Sequence, residues 1–338
     1  MKWLMLLPLC LLLAACGNKE RTVQNLDQVK ANLAFTCVYE KDHLPKLDPN
    51  ADQLYRYARY VQKNNLLKDD VSVYPELERY YRIATAHGHY KANLELRQMI
   101  GKGQAWTADP VKETLDLTEE LIKQGVPGGY YDMARYIDSG YGVKKDPELA
   151  LRYYRKSADM GSPEGQYYVA EKLAPLDRAP EVARQMRRCA AEQGHPEAAA
   201  MLGANYKGDE NYKEAVDSFQ LAVKAGDETA AYVLGKAFAS KNDHDNLGLQ
   251  NDPERSRRYK EISDLLGRYS YLHPTVPELD EIVPLPPAKL PHWDGKIQWL
   301  KDHEANIAPP KPSEELIEQL AKAKGLDPKT GRPLGSQD

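Results

Sequence analysis

Phenylalanine and cysteine are scarce in this chain of 338 residues, which contains three Phe and four Cys. No CxxC pair and no Cys/His cluster with zinc spacing is present, so we expect no metal site. Neither sign of charge is in excess, since 46 Lys and Arg stand against 50 Asp and Glu. Binding to phosphate backbones needs an excess of cationic residues, which argues against nucleic acid as the main partner.

The motifs of common enzymes are also missing: the chain contains no G-x-S-x-G, no H-E-x-x-H, no P-loop and no Rossmann glycines. His87 and His89 form the only close His pair, and their spacing favours a surface pair over a metal site. We therefore expect no catalytic residue, no cofactor, no small-molecule substrate and no enzymatic activity.

The apolar run from Leu4 to Leu13 is shorter than the roughly 20 residues of a membrane-spanning helix. Basic and small residues flank it, as in a secretory signal, here residues 1–15. Its end, Leu13-Ala14-Ala15-Cys16, resembles the bacterial lipobox; the alternative is an ordinary signal with a chance Cys. The resemblance implies lipidation of Cys16, a tether over residues 16–22 and, because residue 17 is Gly rather than Asp, anchoring at the periplasmic face of the outer membrane.

Five segments of the chain repeat at intervals of 32 to 37 residues, and each contains a glycine after an apolar helical pattern. The five glycines are Gly88, Gly125, Gly161, Gly194 and Gly226. Small residues follow each glycine at offset four and large apolar residues follow at offsets eight and twelve, which is one stripe of a helix. A second stripe precedes each glycine, and Asp-Pro pairs at 109, 146 and 252 are typical of helix starts.

The most complete unit runs from Gly140 to Gly161 and contains Gly142-Val143, Asp146-Pro147 and Tyr153-Tyr154. It resembles the Sel-1-like repeat, a relative of the tetratricopeptide repeat. The fold we expect is therefore all-α, a right-handed α-solenoid of helix-turn-helix repeats over residues 23–272. The alternative is a non-repeating helical domain. The resemblance implies protein binding without catalysis.

Cys37 and Cys189 remain after the signal is removed, in a compartment that permits disulfides. Cys37 precedes the repeats and Cys189 lies in the fourth, and packed helices are about 8–10 Å apart. We therefore expect two free, buried thiols.

Residues 273–338 contain 11 of the 23 Pro and predict a strap with short helices. Trp293, Ile297 and Leu300 fit one helical face, and Ser313 and Gly325 would bound a further helix. The amino-acid sequence of the tail resembles a C-terminal family of unknown function in enterobacterial lipoproteins. Trp293 and Trp299 either pack onto the last repeat or form a secondary partner-binding site. Two arginine-rich stretches are expected on solvated faces of helices. They comprise Arg184, Arg187 and Arg188 in one stretch and Arg255, Arg257 and Arg258 in the other.

In tetratricopeptide repeats the helix equivalent to the one after each glycine lines a concave groove. Offsets six and ten would therefore face a protein partner, with aromatic side chains beside charged ones. The predicted partner-binding residues are Tyr131, Arg135, Tyr167, Glu171, Tyr232 and Lys236. The alternative is a solvated groove or packing between repeats.

Sel-1-like lipoproteins with this kind of tail resemble immunity proteins of type VI secretion, which neutralise phospholipase effectors. The resemblance implies a membrane-tethered periplasmic solenoid that binds a secreted phospholipase toxin. An adaptor for endogenous envelope complexes is the alternative, and a cell-wall hydrolase is the weakest hypothesis.

The lipobox makes a testable prediction. Replacing Cys16 with Ala removes the acceptor thiol, so the precursor should accumulate uncut and the protein should leave the outer-membrane fraction. Fractionation and the mass of the N-terminal peptide measure both effects. A Cys16→Ala protein that is still cut after residue 15 and soluble in the periplasm would contradict the lipobox.

Overall fold

The structure is a computed structural model and describes residues 33–175, 178–241 and 243–335. The predicted signal, lipidation site and tether therefore lie outside the described residues. The chain from Phe35 onward forms one unit, which is described by itself below.

The repeat helices occupy residues 49–268, which lie within the predicted repeat range of residues 23–272. They are α1 (Pro49–Asn65), α2 (Tyr74–Ala86), α3 (Tyr90–Gly101), α4 (Pro110–Lys123), α5 (Pro127–Ser139), α6 (Pro147–Asp159), α7 (Pro163–Leu173), α8 (Pro180–Glu192), α9 (Pro196–Gly208), α10 (Tyr212–Lys224), α11 (Glu228–Ala239), α12 (Asp243–Asn246) and α13 (Pro253–Arg268). The tail adds α14 (Leu279–Ile282), α15 (Gln298–Ala305) and α16 (Glu314–Ala323). Within the described ranges there is no β-strand, only an isolated bridge between Leu326 and Pro333. The molecule is an α-solenoid of tandem helix pairs.

The aspartate side chains of the predicted Asp-Pro pairs cap the N-termini of three helices. The carboxylates of Asp109, Asp146 and Asp252 each accept a hydrogen bond from the backbone N–H three residues later. This satisfies one of the free amides of each helix, and the following Pro has no amide to satisfy. The prediction of these helix starts is confirmed.

All five repeat glycines adopt the left-handed conformation, with φ between +76° and +102°. The residue after the glycine caps the next helix in four repeats, through His89, Ser162, His195 and Asp227. His89 is buried, its Nδ1 accepts from the amide of Ala92 and its Nε2 lies 3.3 Å from Asp52. The prediction of a surface His pair was therefore wrong for His89, because capping takes this ring into the core.

The two helices of a repeat cross next to the glycine turn, where the small residues meet. A Cβ atom added to Gly129 would lie 2.8 Å from the Cβ of Leu121, and one added to Gly165 would lie 2.7 Å from the Oγ of Ser157. Ala92, Ala198 and Ala230, at the equivalent position, are buried. Small residues here allow close helix contact, as the repeat pattern predicted.

The large apolar residues at offsets eight and twelve from each repeat glycine fill the core. Leu96, Met133, Val169, Leu202 and Leu234 at offset eight are all buried. At offset twelve Ile100, Ile137, Tyr206 and Phe238 are buried, and Leu173 is half-buried. Helix pairs thus bury their apolar stripes against the neighbouring pair.

The Pro-rich tail lies against the last repeats. The N–H of Val276 donates to the carbonyl of Lys224, and the carbonyl of Pro274 passes over Gly226. Val276, Leu279, Val283 and Ile297 are fully buried in one core cluster with α10, α11 and α13. Trp293 lies before α15 and not on it, because the chain becomes helical only at Gln298, so the predicted shared helical face was wrong.

Arginines of α13 hold this tail through its backbone carbonyls. Arg258 donates from Nη1 to the carbonyl of Ile282 at 2.7 Å and from Nη2 to that of Pro291 at 2.8 Å. Arg255 donates to the carbonyls of Pro284 and Ala288. Both arginines are buried, as is Arg187. The prediction that these three arginines lie on solvated faces was wrong, because buried acceptors need donors and guanidinium provides several. Arg255 and Arg258 donate to backbone carbonyls of the tail, whereas Arg187 donates to the side chains of Glu171 and Asn205.

The end of the tail returns to the first helices. Side chains of Asn64 and Asn306 exchange two hydrogen bonds, at 3.2 and 2.9 Å. Ile317 and Leu320 of α16 join the buried cluster of α1 to α3. Ser313 caps α16 and Gly325 follows it with φ +66°, as predicted. The tail therefore bridges the two ends of the repeat array.

Charged side chains reinforce this junction. Arg79 of α2 donates from Nη2 to the carboxylate of Glu314 at 2.6 Å and from Nε to the carbonyl of Pro328. Glu78 of the same helix accepts from Arg332 at 3.1 Å. The end of the tail is thus bound through both its backbone and its side chains.

Cys37 and Cys189 form a disulfide with a Cα–Cα distance of 5.6 Å, so the prediction of two free, buried thiols was wrong. Cys189 is buried, but Cys37 is exposed. The residues that precede the repeats do not lie at the start of the stack. Instead, residues 35–43 run along the glycine turns of the third and fourth repeats. The side chain of Gln166 donates to the carbonyl of Val38, and the backbone of Tyr39 passes over Gly161. The N-terminal segment, and not the stacking of helices, therefore brings together two cysteines that are 152 residues apart in sequence.

The helix crossing makes a prediction about stability. Gly129→Ala introduces a Cβ against Leu121 and should lower the free energy of unfolding by about 1–3 kcal/mol through overpacking. Gly101→Ala, at the last residue of α3, is the control, since its added Cβ meets nothing within 4 Å and it should therefore not lower the free energy of unfolding. Urea denaturation measures both, and equal effects would contradict the packing argument.

Candidate protein-binding face

The predicted partner-binding residues lie on three of the helices that follow the glycine turns. Tyr131 and Arg135 are on α5, Tyr167 and Glu171 on α7, and Tyr232 and Lys236 on α11. We call their outward side, together with Leu94 of α3, the partner face.

Tyr131 is half-buried between helices. Its ring centre lies 5.5 Å from that of Tyr154 and 6.5 Å from that of Tyr168. Burial raises the pKa of its hydroxyl, so the phenol stays neutral. Arg135 is exposed one turn further along α5, and both side chains line a cleft of about 330 Å³. Tyr131 thus contributes to packing as well as to an open surface.

Tyr167 and Glu171 of α7 are tied to the next repeat. The ring of Tyr167 lies 4.7 Å from that of His195, and burial raises the pKa of its hydroxyl. Glu171 accepts hydrogen bonds from Nε and Nη2 of the buried Arg187, at 3.0 and 2.7 Å. Glu171 therefore joins α7 to α8, and only its remaining acceptor capacity is open to a partner.

Tyr232 is the most exposed of the predicted aromatic residues, at 51% of its surface. The ammonium of Lys236 lies 5.2 Å from its ring centre. Both residues line a second cleft, of about 360 Å³, with Lys207 and Asp245 among its walls. The structure therefore brings the predicted residues together in pairs, with one cleft at α5 and another at α11, rather than in one continuous row.

The Trp residues of the tail pack onto the last repeat. The indole N–H of Trp293 donates to the carbonyl of Lys296, and the guanidinium of Arg258 lies 5.7 Å from its ring. Trp299 contacts Tyr269 and His303, at ring distances of 5.3 and 5.0 Å, and Lys63 of α1 lies over it. Their surroundings agree with the packing alternative, and a secondary partner-binding role stays a prediction.

Glu40 is a residue of the first cleft that sequence reasoning missed. Its carboxylate lies beside the N-terminus of α5, where the amide of Gly128 donates to it. Burial first, and then the neighbouring Glu164, raise the pKa of this carboxyl to about 7. Long-range contacts place this segment here, among them the disulfide of Cys37 with Cys189 and the hydrogen bond from the amide of Glu40 to Gln193, so no local pattern in the sequence could have identified it.

In the described ranges, no group of three or more His, Cys, Asp or Glu side chains could hold a metal ion. No described helix is long and apolar enough to cross a membrane.

Solved structures of Pseudomonas aeruginosa proteins are similar to this chain over most of its length. The immunity protein Pa5087 is 29% identical and the immunity protein PA5088 is also 29% identical, with TM-scores of 0.57 and 0.59. Each comparison covers 75% of this chain, and 95% and 94% of the respective relative. Pseudomonas aeruginosa 5086 is 30% identical over 75% of this chain and 95% of its own, with a TM-score of 0.57.

The chain belongs to the family of Pseudomonas aeruginosa 5086. A comparison with curated proteins gives no match. A domain of unknown function, DUF6396, matches residues 230–334. This range holds Tyr232 and Lys236 of the second cleft and nearly all of the described tail, so in this chain the domain comprises part of the partner face and the segment that joins both ends of the array.

The position of Glu40 makes a prediction about pH. A carboxyl whose pKa is raised on folding binds a proton more tightly in the folded state, so its ionisation lowers stability as pH rises from about 4.5 to above 7. Glu40→Gln removes this charge and keeps an acceptor for Gly128. The variant should therefore gain thermal stability over the wild type at pH 8 but not at pH 4.5, as measured by circular dichroism. A gain that is equal at both pH values would contradict the assignment.

Proposed function

We propose that the chain is an immunity protein that neutralises a secreted phospholipase toxin of a type VI system by binding it. The supporting observation is its similarity, at 29% identity and over 94–95% of their chains, to two proteins described as immunity proteins. Nearly the whole relative is matched, so the similarity is not confined to one generic repeat.

The architecture of this chain suits a protein that inhibits an enzyme by covering its active site. The tail joins the first and last helices through Asn64–Asn306 and Arg79–Glu314, which restrains the curvature of the array. A preformed surface loses little conformational freedom on binding, so more of the contact energy appears as affinity. Covering the mouth of an enzyme requires a standard interface of about 1,600 Å² and no chemistry.

We also propose that the protein acts at the periplasmic face of the outer membrane, anchored through Cys16. The Cys37–Cys189 disulfide supports this location, because disulfides persist in oxidising compartments such as the periplasm. A toxin that attacks envelope lipid would meet its inhibitor there.

The test first identifies a phospholipase gene beside this gene and then directs its product to the periplasm of a test strain. Replacing Tyr131, Tyr167 and Tyr232 together by Ala should abolish protection of growth while the helical signal in circular dichroism remains. Leu94→Lys places a positive charge on the partner face and should weaken toxin binding by at least tenfold. Leu151→Lys is its control, since Leu151 is similarly exposed, at 50% against 43%, but lies on α6, which precedes a glycine turn.

Two outcomes would contradict the proposal. Full protection by the triple variant would move the site away from the partner face. A gene without a neighbouring toxin, together with capture of defined housekeeping complexes by the purified protein, would support the envelope adaptor instead.

A further inference from the structure

The cleft at α5 has a composite wall that the repeat pattern does not explain. One side comes from α3 and α5, and the other includes Glu40 of the N-terminal segment and Glu164 of α7. Cys37 fixes this segment to α8, while Gln193 accepts from the amide of Glu40 at 2.7 Å. The segment is thus held to the solenoid on both sides of Val38, and the cleft is complete only with it in place.

The cleft is divided by charge. Arg97 is neutralised within the chain, because its Nη2 donates to Asp132 at 2.7 Å. Arg135 lies about two helical turns from Gly128 along α5, roughly 10 Å away. The end that contains Glu40 and Glu164 therefore carries two carboxylates.

These carboxylates have few cationic neighbours. Glu164 accepts a hydrogen bond from Ser162 at 2.9 Å, and Glu40 accepts from the amide of Gly128. Lys91 of α3, which also lines the cleft, lowers the pKa of Glu40 less than the amide of Gly128 does. Tyr90, also on α3, faces the same carboxylate. An incoming cation would relieve the repulsion between the carboxylates.

Apolar and aromatic surface lies next to this end. Tyr90, Leu94, Leu121, Val126 and Tyr131 line the cleft. Leu94 remains 43% exposed, so the wall is open to a side chain from outside. Aliphatic stems pack well on such surfaces, and planar guanidinium groups stack on tyrosine rings.

We propose that this cleft is an anchor pocket of the partner face that receives an arginine side chain of the bound protein. The guanidinium would donate to Glu40 and Glu164, and the stem would lie against Tyr131 and Leu94. Arginine fits better than a compact ammonium because its planar fork can donate to a carboxylate through two N–H groups. The inference deepens the proposed function, since it rests on the chain binding a protein partner at this face.

The binding test uses Nα-acetyl-arginine methylamide as the probe and its neutral isostere, Nα-acetyl-citrulline methylamide, as the ligand control. Titration of the complete mature protein, followed by NMR, should give a dissociation constant of about 1 mM for the arginine probe, as expected for a ligand of this size. The citrulline probe should bind at least tenfold more weakly. Equal binding of the two probes would overturn the proposal.

Variants test the site itself. Glu40→Gln and Glu164→Gln should each weaken arginine binding about tenfold, whereas Glu148→Gln, in the first turn of α6, should leave it unchanged. Binding by the wild type should strengthen from pH 6 to pH 8 as Glu40 ionises, and Glu40→Gln should lose this dependence. Arginine binding that survives both cleft variants would place the probe elsewhere and overturn the assignment.

The disulfide provides an independent variant. Cys37→Ser with Cys189→Ser should release the segment that carries Glu40 and weaken arginine binding while helicity is retained. Should the double variant unfold, Glu40→Gln and Glu164→Gln still test the pocket. Protection of cells against the toxin is scored separately. Protection without arginine binding would refute only the pocket, and arginine binding without protection would refute the immunity role and leave the pocket supported.

Discussion

Close contact between the two helices of each repeat, immediately beside the glycine turn, is the constraint on which the rest of the structure depends. At Gly129 and Gly165 the backbone approaches the facing helix so closely that a single Cβ atom would overlap it. The larger apolar stripes then meet the neighbouring repeat at the right distance. Because every turn is built alike, the glycine turns align along one edge of the array, where flanking segments can lie.

The two segments outside the repeats use that edge in different ways. The N-terminal segment crosses Gly161 and is held by a disulfide, and the tail crosses Gly226 and is held by Arg255 and Arg258. Proline-rich backbone cannot satisfy its carbonyls in a helix of its own, so guanidinium groups of α13 serve as donors. An open repeat array thereby becomes a closed scaffold with its ends joined.

This closure bears on the proposed immunity role. A solenoid whose ends are free can change its curvature, whereas joined ends restrain the curvature of the partner face. Rigid faces favour tight binding because little conformational entropy is lost. The two clefts on this face differ in the placement of charge: the first has Glu40 and Glu164 at one end and Arg135 at the other, and the second contains Lys207, Lys236 and Asp245. A partner would therefore need basic and acidic groups at defined positions.

The repeat helices, their glycine ends and their Asp caps could be read from the sequence, because each depends on residues within about 40 positions of one another. The buried small residues at Ala198 and Ala230 followed for the same reason. The disulfide and the position of Glu40 could not be read, because the residues in contact are more than 150 positions apart. The burial of Arg255 and Arg258 could not be read either, because it depends on the path that the Pro-rich tail takes over α13. The local sequence around a charged or thiol side chain does not indicate which distant residue that side chain will contact. Only the tertiary structure, which brings position 37 to position 189 and position 306 to position 64, decides which arginines are buried and where the clefts form.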